Sequence, residues 1–406
     1  MSRAIAPPRP GPPGAADALF AEARRRRRRR RLAGLAVVLA LAAGAAAFFA
    51  AGPDSAPAAP GAGGRGTHPV SAPGAALAGS VAWVDYRGRV HLGDLATGAQ
   101  RVIARSRAYP AIPMVQVGGR LYWSAPTGAH GLVQELNPTT GRVRSVGIGQ
   151  GIFSVFTSGN GRQVFFAPTD TRIVELPARG AGAGARHEFT LPRGWRLPYG
   201  GSTGVAGGIL VESGGQTARA HTVMAVWDPK TGALKAIGRD IVVMAASTPP
   251  GARHSLLAWL PARCAAGQNC PLRITNTATL ATKTVRSPLH RGFAAGAAFS
   301  PGGTQLAVFV NGNNLGTGAV QLAMVDTGTG ALRLAGAVRL GIGEDRAWAL
   351  WLPGGKYLLT GGAVSSYAVT AATLSARPLY FIHRQGHYIE ASQDINYSAV
   401  ILPPQR

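Results

Sequence analysis

The sequence predicts an all-β fold, a β-propeller of seven blades with six or eight as the alternatives, carried behind a single N-terminal transmembrane helix. Three observations predict it. Beyond Ser80 the chain is a succession of short β-rich runs parted by Gly-containing turns, with hardly a stretch that would support a helix of ten residues. Two kinds of turn recur in step along that region, the signature of a repeated supersecondary unit. Ahead of it, eight consecutive arginines, Arg24 to Arg31, run directly into twenty uncharged residues, Leu32 to Ala51.

Residues 1–31 open with MSRAIAPPRPGPPGAADALFAEA, rich in Pro and Ala, and read as a cytoplasmic tail. Residues 32–51 are long enough to cross a bilayer: twenty helical residues rise about 30 Å, the hydrocarbon thickness. A dense positive block beside the first apolar span stays on the cytoplasmic side, so the expected topology is single-pass, with the C-terminal domain extracytoplasmic. A cleavable signal peptide is the competing reading, with small-residue sites such as Ala56-Pro57-Ala58 beyond the apolar run. Signal h-regions, however, run to only about 7–15 residues. Because topology accounts for the arginines, no nucleic-acid partner is expected. Residues 52–79, dominated by Pro, Ala, Gly and Ser, read as a semi-extended linker ahead of the domain at 80–406. Gly61 to Gly66 formally matches GxGxxG, but it follows no strand and opens no helix, so no nucleotide site is expected there.

The net charge is +25. Residues 1–31 hold ten arginines against Asp17 and Glu22, which leaves 32 basic and 15 acidic residues, or +17, beyond them. Such a surface suits anionic surroundings, lipid headgroups or acidic wall polymers, held in a salt-dependent way. Only four lysines occur in the chain, alongside heavy Ala, Gly and Pro usage, and GC-rich coding bias raises arginine in the same way without selecting any partner.

The first recurrent turn is Asx-x-x-Thr-Gly: Asp94 to Gly98, Asn137 to Gly141, Asp228 to Gly232 and Asp326 to Gly330. An Asx side chain bonds the backbone amides ahead of it and the glycine accepts positive φ, which is hairpin chemistry. The first two copies are 43 residues apart and the later gaps of 91 and 98 are each about two such periods, with degenerate copies expected near Glu175 and at Asn276-Thr-Ala-Thr279. The second is a glycine turn earlier in each unit: at Gly118-Gly119, Gly159 to Gly161, Gly207, Gly251, Gly302-Gly303 and Gly354-Gly355. Strand, Gly turn, strand, loop, strand, Asx turn, strand is a four-stranded meander, one propeller blade. The first unit, opening with VAWVD at Val81 to Asp85, lacks an inner strand. DINYSAVIL, Asp394 to Leu402, is left over at the other end and is expected to supply it, closing the ring.

At these residues the chain resembles the bacterial extracytoplasmic β-propellers of the TolB and WD40-like repeat type, whose blades carry a Ser-Pro-Asp-Gly-Lys-like turn before an aliphatic strand. AFSPGGTQLAVFV, Ala298 to Val310, and WLPGGKYLLTGG, Trp351 to Gly362, are the copies nearest that pattern, each with Gly where the family usually has Asp. The resemblance covers residues from about 80 to 400. It implies architecture and little more, since propellers of this kind serve as scaffolds, ligand binders and, less often, enzymes.

Cys264 and Cys270 are the only cysteines, and in an exported domain they are expected to form a disulfide. Between Arg263 and Pro271 there is no His or carboxylate, so no metal site is expected there, and no cofactor elsewhere. Ser202 sits in a GxSxG match, Gly200 to Gly204, but a nucleophile elbow needs a helix after it and the strand-like GGILVES follows instead. His383, His387 and Glu390 would converge if helical, yet Gly386 and strand-like flanks favour a solvated loop; Glu344-Asp345 reads as an exposed acidic loop. The expectation is therefore a membrane-anchored, non-catalytic binding or scaffold module for an envelope protein or an acidic polymer. The alternative is a propeller hydrolase or lactonase with a site in the central channel.

Overall fold

Residues 77–402 of the computed structural model are described apart from 85–87, 106–113, 128–129, 151–153, 177–185, 199–203, 215–220, 250, 263, 265–269, 287–291, 312–319, 341–346, 362–365, 383–387 and 391–398. The anticipated tail and transmembrane helix, and the linker up to residue 76, lie outside these residues.

Apolar residues in this chain come in near-continuous runs such as LAVFV and ILV, and period-2 geometry explains why. Successive side chains of one strand serve two different interfaces. In the strand Gln305–Asn311, Leu306, Val308 and Val310 pack toward the preceding sheet while Ala307 and Phe309 pack toward the next. The same split divides Val81 and Trp83 from Ala82 and Val84, Ile209 and Val211 from Leu210, and Leu358 from Leu359. A sheet apolar on both faces must be covered on both, and stacking sheets around an axis does this for every one of them. Phe309 is fully buried in such a seam, where truncation to Ala costs about 3–5 kcal/mol.

Seven sheets result, one per unit, spanning residues 80–105, 115–150, 155–190, 195–239, 241–285, 293–340 and 348–378, here blades 1 to 7. Six are four-stranded; blade 4 has five strands, because both Trp195–Arg196 and Gly204–Val205 pair with Gly208–Ser213. The chain is a seven-bladed β-propeller. Between blade 7 and the C-terminal strand lies one further hairpin, Tyr380–Ile382 with Tyr388–Glu390.

Blade 1 has three strands of its own, and its fourth is Val400–Leu402, which pairs antiparallel with Ser80–Val84 through Ala82 and Val400, Val81 and Ile401, and Ser80 and Leu402. The C-terminus thus closes the ring as expected, with 394–398 outside the described residues. Leu402 joins the seam of blades 1 and 2, and Ile401 packs on that of blades 7 and 1. Leu77, within the stretch read as linker, is buried in the latter seam. Among the described residues every seam is made within 77–402, and residues 69–406 form one compact unit.

Both recurrent turns are where expected. In each Asx turn the fifth residue donates its N–H to the first residue's carbonyl, at Gly98, Gly141, Gly232 and Gly330, all at positive φ. The same turn occurs at Asn276, where Leu280 takes φ of 60°, and at Thr370-Ala-Ala-Thr373-Leu374, which sequence reading missed because Thr stands for Asx and Leu374, at φ 57°, for Gly. The degenerate copy expected near Glu175 is different: Glu175 lies inside the strand Arg172–Leu176, paired with Phe165 and His187, and the connection that follows runs through 177–185.

Two outcomes test this account. Deleting residues 391–406 removes the inner strand of blade 1, so the melting temperature is expected to fall by many degrees or folding to fail; an unchanged melt would refute the closure. The carboxyls of Asp228 and Asp326 are held below the usual range, Asp228 chiefly by the N–H of Lys230 and then the Thr231 hydroxyl, Asp326 by the N–H of Thr329 and then its hydroxyl. A depressed folded-state value makes this stabilisation complete above about pH 4 and lost as pH falls through the folded value. Asn holds the same turn at Asn137 and Asn276. A D228N/D326N variant should therefore lose less melting temperature between pH 5 and pH 2.5 than the unaltered chain, and equal losses would count against the assignment.

Candidate functional site

The central channel is bordered by the innermost strand of each blade. The innermost strands are Val400–Leu402, Val115–Val117, Val155–Thr157, Gly204–Val205, Ile241–Ser247, Phe293–Phe299 and Trp348–Trp351. None carries an acid, a histidine, a cysteine or a basic side chain. Arg196, on the short strand beside Gly204, is held by Glu212 at 2.9 Å. Gly204, which completes the GxSxG match, opens a strand rather than a helix, and a Cβ there would lie 2.1 Å from the carbonyl oxygen of Thr157. Its glycine is required by the seam of blades 3 and 4. Ser202, Glu344, Asp345, His383 and His387 lie outside the described residues, and Glu390 ends the strand Tyr388–Glu390. Cys264 and Cys270 stand at disulfide distance, Cα atoms 6.0 Å apart, on the connection between the strands Leu256–Pro261 and Leu272–Asn276.

The outer rim is where charge is organised, and part of it is structural. The second residue of the outermost strand is basic in six of the seven blades: Arg101, Arg144, Lys235, Lys283, Arg333 and Arg377. At three successive seams this residue reaches the Asx-type turn of the next blade. Lys235 Nζ donates to the carbonyl of Ala278 at 2.5 Å, Lys283 to those of Thr327 and Gly328, and Arg333 to those of Ala372 at 3.0 Å and Ala371 at 3.3 Å. These carbonyls belong to positions two and three of the turn, whose own amides are turned elsewhere. Each exposed, charge-assisted contact is worth roughly 1 kcal/mol.

The pattern breaks at the seam of blades 2 and 3. Blade 3 has no matching turn among the described residues, and Arg144 turns back on its own blade to meet Glu135, Nη2 to Oε2 at 2.6 Å. Glu135 is only 3% exposed, yet it is flanked on the other side by Arg120 at 4.0 Å. Arg144 Nε is buried with no partner. Beside this pair opens a cavity of about 490 Å3 lined by Arg120, Glu135, Asn137, Thr140, Arg142 and Arg144. A second, of about 240 Å3, shares Glu135 and Arg144 and adds Tyr122, Leu176 and Arg186. Arg186, from blade 3, donates to the carbonyl of Val146 on blade 2 and so ties the two blades together. Glu135 is thus bonded by one guanidinium and flanked by a second, while Arg142 and Arg186 line the two cavities that it shares. The arrangement holds no nucleophile beside a base; what it can do is bind negative charge. Sequence reading missed it, although a signal was present in NPTTGRVRS, Asn137 to Ser145, where alternate arginines follow the turn on one strand face.

No family model matches the chain, and no curated protein does. Solved structures do. TolB from Acinetobacter baumannii is 11% identical with a TM-score of 0.45, over 80% of this chain and 67% of that one. An oligogalacturonate lyase from Vibrio parahaemolyticus is 11% identical, TM-score 0.49, over 79% of this chain and 91% of the other. The β-propeller domain of the Trilobed protease from Pyrococcus furiosus is 11% identical, TM-score 0.49, over 75% and 95%. Identities and scores this low say nothing about ligand or activity.

Proposed function

We propose that this chain is a membrane-tethered, extracytoplasmic propeller that acts as a non-catalytic binding module for an anionic component of the cell envelope. The observation that carries the reading is the arginine cleft: a cavity of about 490 Å3 on the blade 2 side of a seam, walled by three arginines that the ring does not use as clamps. The anchor and its orientation rest on the arginine block and the uncharged span of 32–51. The hydrolase or lactonase alternative places its site in the channel, and no observation favours it: no cluster of three metal-ligating side chains occurs among the described residues, and the innermost strands carry no acid or base.

Binding of this kind weakens as salt rises. A fragment of residues 69–406 is expected to bind acidic envelope polymers with an affinity that falls steadily between 50 and 300 mM salt (conditions on the order of the Debye-screening range), and salt-insensitive binding would remove the electrostatic reading. Topology is tested separately. A protease added outside intact cells should digest the propeller and spare a small anchored fragment; protection of the propeller would reverse the orientation, and release of a mature protein starting near Ala51 to Ala59 would replace the anchor by a signal peptide.

A further inference from the structure

The polarity of the cleft's hydrogen-bonding groups narrows what can enter it. Each of its side-chain acceptors already has a partner within the protein. Glu135 is held by Arg144 and flanked by Arg120, the Asn137 side-chain oxygen accepts the N–H of Thr139 at 3.0 Å, and the Thr140 hydroxyl oxygen accepts the N–H of Arg142 at 3.4 Å. What remains toward the cavity is donors: the guanidinium of Arg142, the free edge of Arg120, the Asn137 amide NH2 and the Thr140 hydroxyl proton. A neutral sugar, whose hydroxyls both give and take hydrogen bonds, finds few acceptors here. An oxyanion, which only accepts, meets a lining of donors in which the one carboxylate, Glu135, is already bonded by Arg144.

Asn137 is the first residue of its turn and lines the cavity, and in blade 5, away from the cleft, that turn position is Asn276. The same turn position holds Asp94, Asp228 and Asp326 in blades 1, 4 and 6, each bonding the amides ahead of it. Aspartate therefore fits the turn. In blade 2 it would place a carboxylate on the cavity wall, and there the chain has the neutral, donating amide instead.

We infer that the cleft of Arg120, Asn137, Thr140, Arg142 and Arg144 is an oxyanion subsite for one carboxylate or phosphate group of an anionic polymer, and that Asn137 sets its preference for acceptor-only ligands. This rests on the binding-module reading and assigns its site. The aspartate turns supply the test, since Asn137→Asp adds a negative charge to the wall without disturbing the turn, and Asn276→Asp makes the same change in blade 5, away from the cleft. Arg142→Gln, at an exposed position, is a second variant with little bearing on folding.

Fragment 69–406 and the three variants are titrated with alginate, a polyuronate, with inorganic polyphosphate, and with neutral dextran. The expected result is binding of polyanion but not dextran, weakened about tenfold or more by Asn137→Asp and by Arg142→Gln and unchanged by Asn276→Asp, with melting temperatures alike. Binding of alginate alone or of polyphosphate alone would support the subsite and assign it to carboxylate or to phosphate. If both cleft variants bind as the unaltered fragment does, the subsite is overturned while polyanion binding stands. If the unaltered fragment ignores both polyanions, or takes dextran as well, the binding-module reading itself fails.

Discussion

The structure depends on one constraint: every sheet is apolar on both faces, so no blade is stable with a bare side. Strands such as Gln305–Asn311 send alternate side chains into two different seams, which means that neither seam can be removed without exposing residues that the other does not cover. Only a closed ring satisfies all blades together. The pairing of Val400–Leu402 with Ser80–Val84 is small in area, but it is the element that turns a row of sheets with two raw ends into a ring with none.

That constraint also accounts for what could be read from the residues and what could not. Turns were legible, because Asp94, Asn137, Asp228 and Asp326 sit before a glycine, and few sequences other than a turn need that combination. The turn at Thr370 was hidden, since Leu374 adopts positive φ only because the packed blade around it imposes that conformation. The C-terminal strand was legible as an apolar remainder with no partner of its own. The cleft was not. Arg120 and Arg144 come from two different strands, Arg142 from the approach to the second of these and Arg186 from the approach to a third, and nothing in local spacing says that the residue clamping the next blade at three seams bonds its own blade at this one.

Basic charge here has two separate roles, and the ring separates them. Lys235, Lys283 and Arg333 are engaged by backbone carbonyls across a seam and belong to the architecture. Among the described residues the repeat uses one such cation at each of three successive seams. At blades 2 and 3 no receiving turn occurs among the described residues, Arg144 bonds Glu135 instead, and Arg120 and Arg142 line a cavity. The same register position in the outermost strand thus serves between blades at three seams and within a blade at another.

Closure by the last strand has a consequence for how the chain is made. Blade 1 is synthesised first, with its inner edge unpaired, and the strand that covers it arrives more than 300 residues later. Throughout that interval the nascent polypeptide presents Ser80–Val84 as an open edge beside an apolar surface, the form in which β-sheets recruit the wrong neighbour. Arrival of Val400–Leu402, rather than completion of any one blade, is the moment at which that edge is covered, and a chain that stops short of this strand would keep it open.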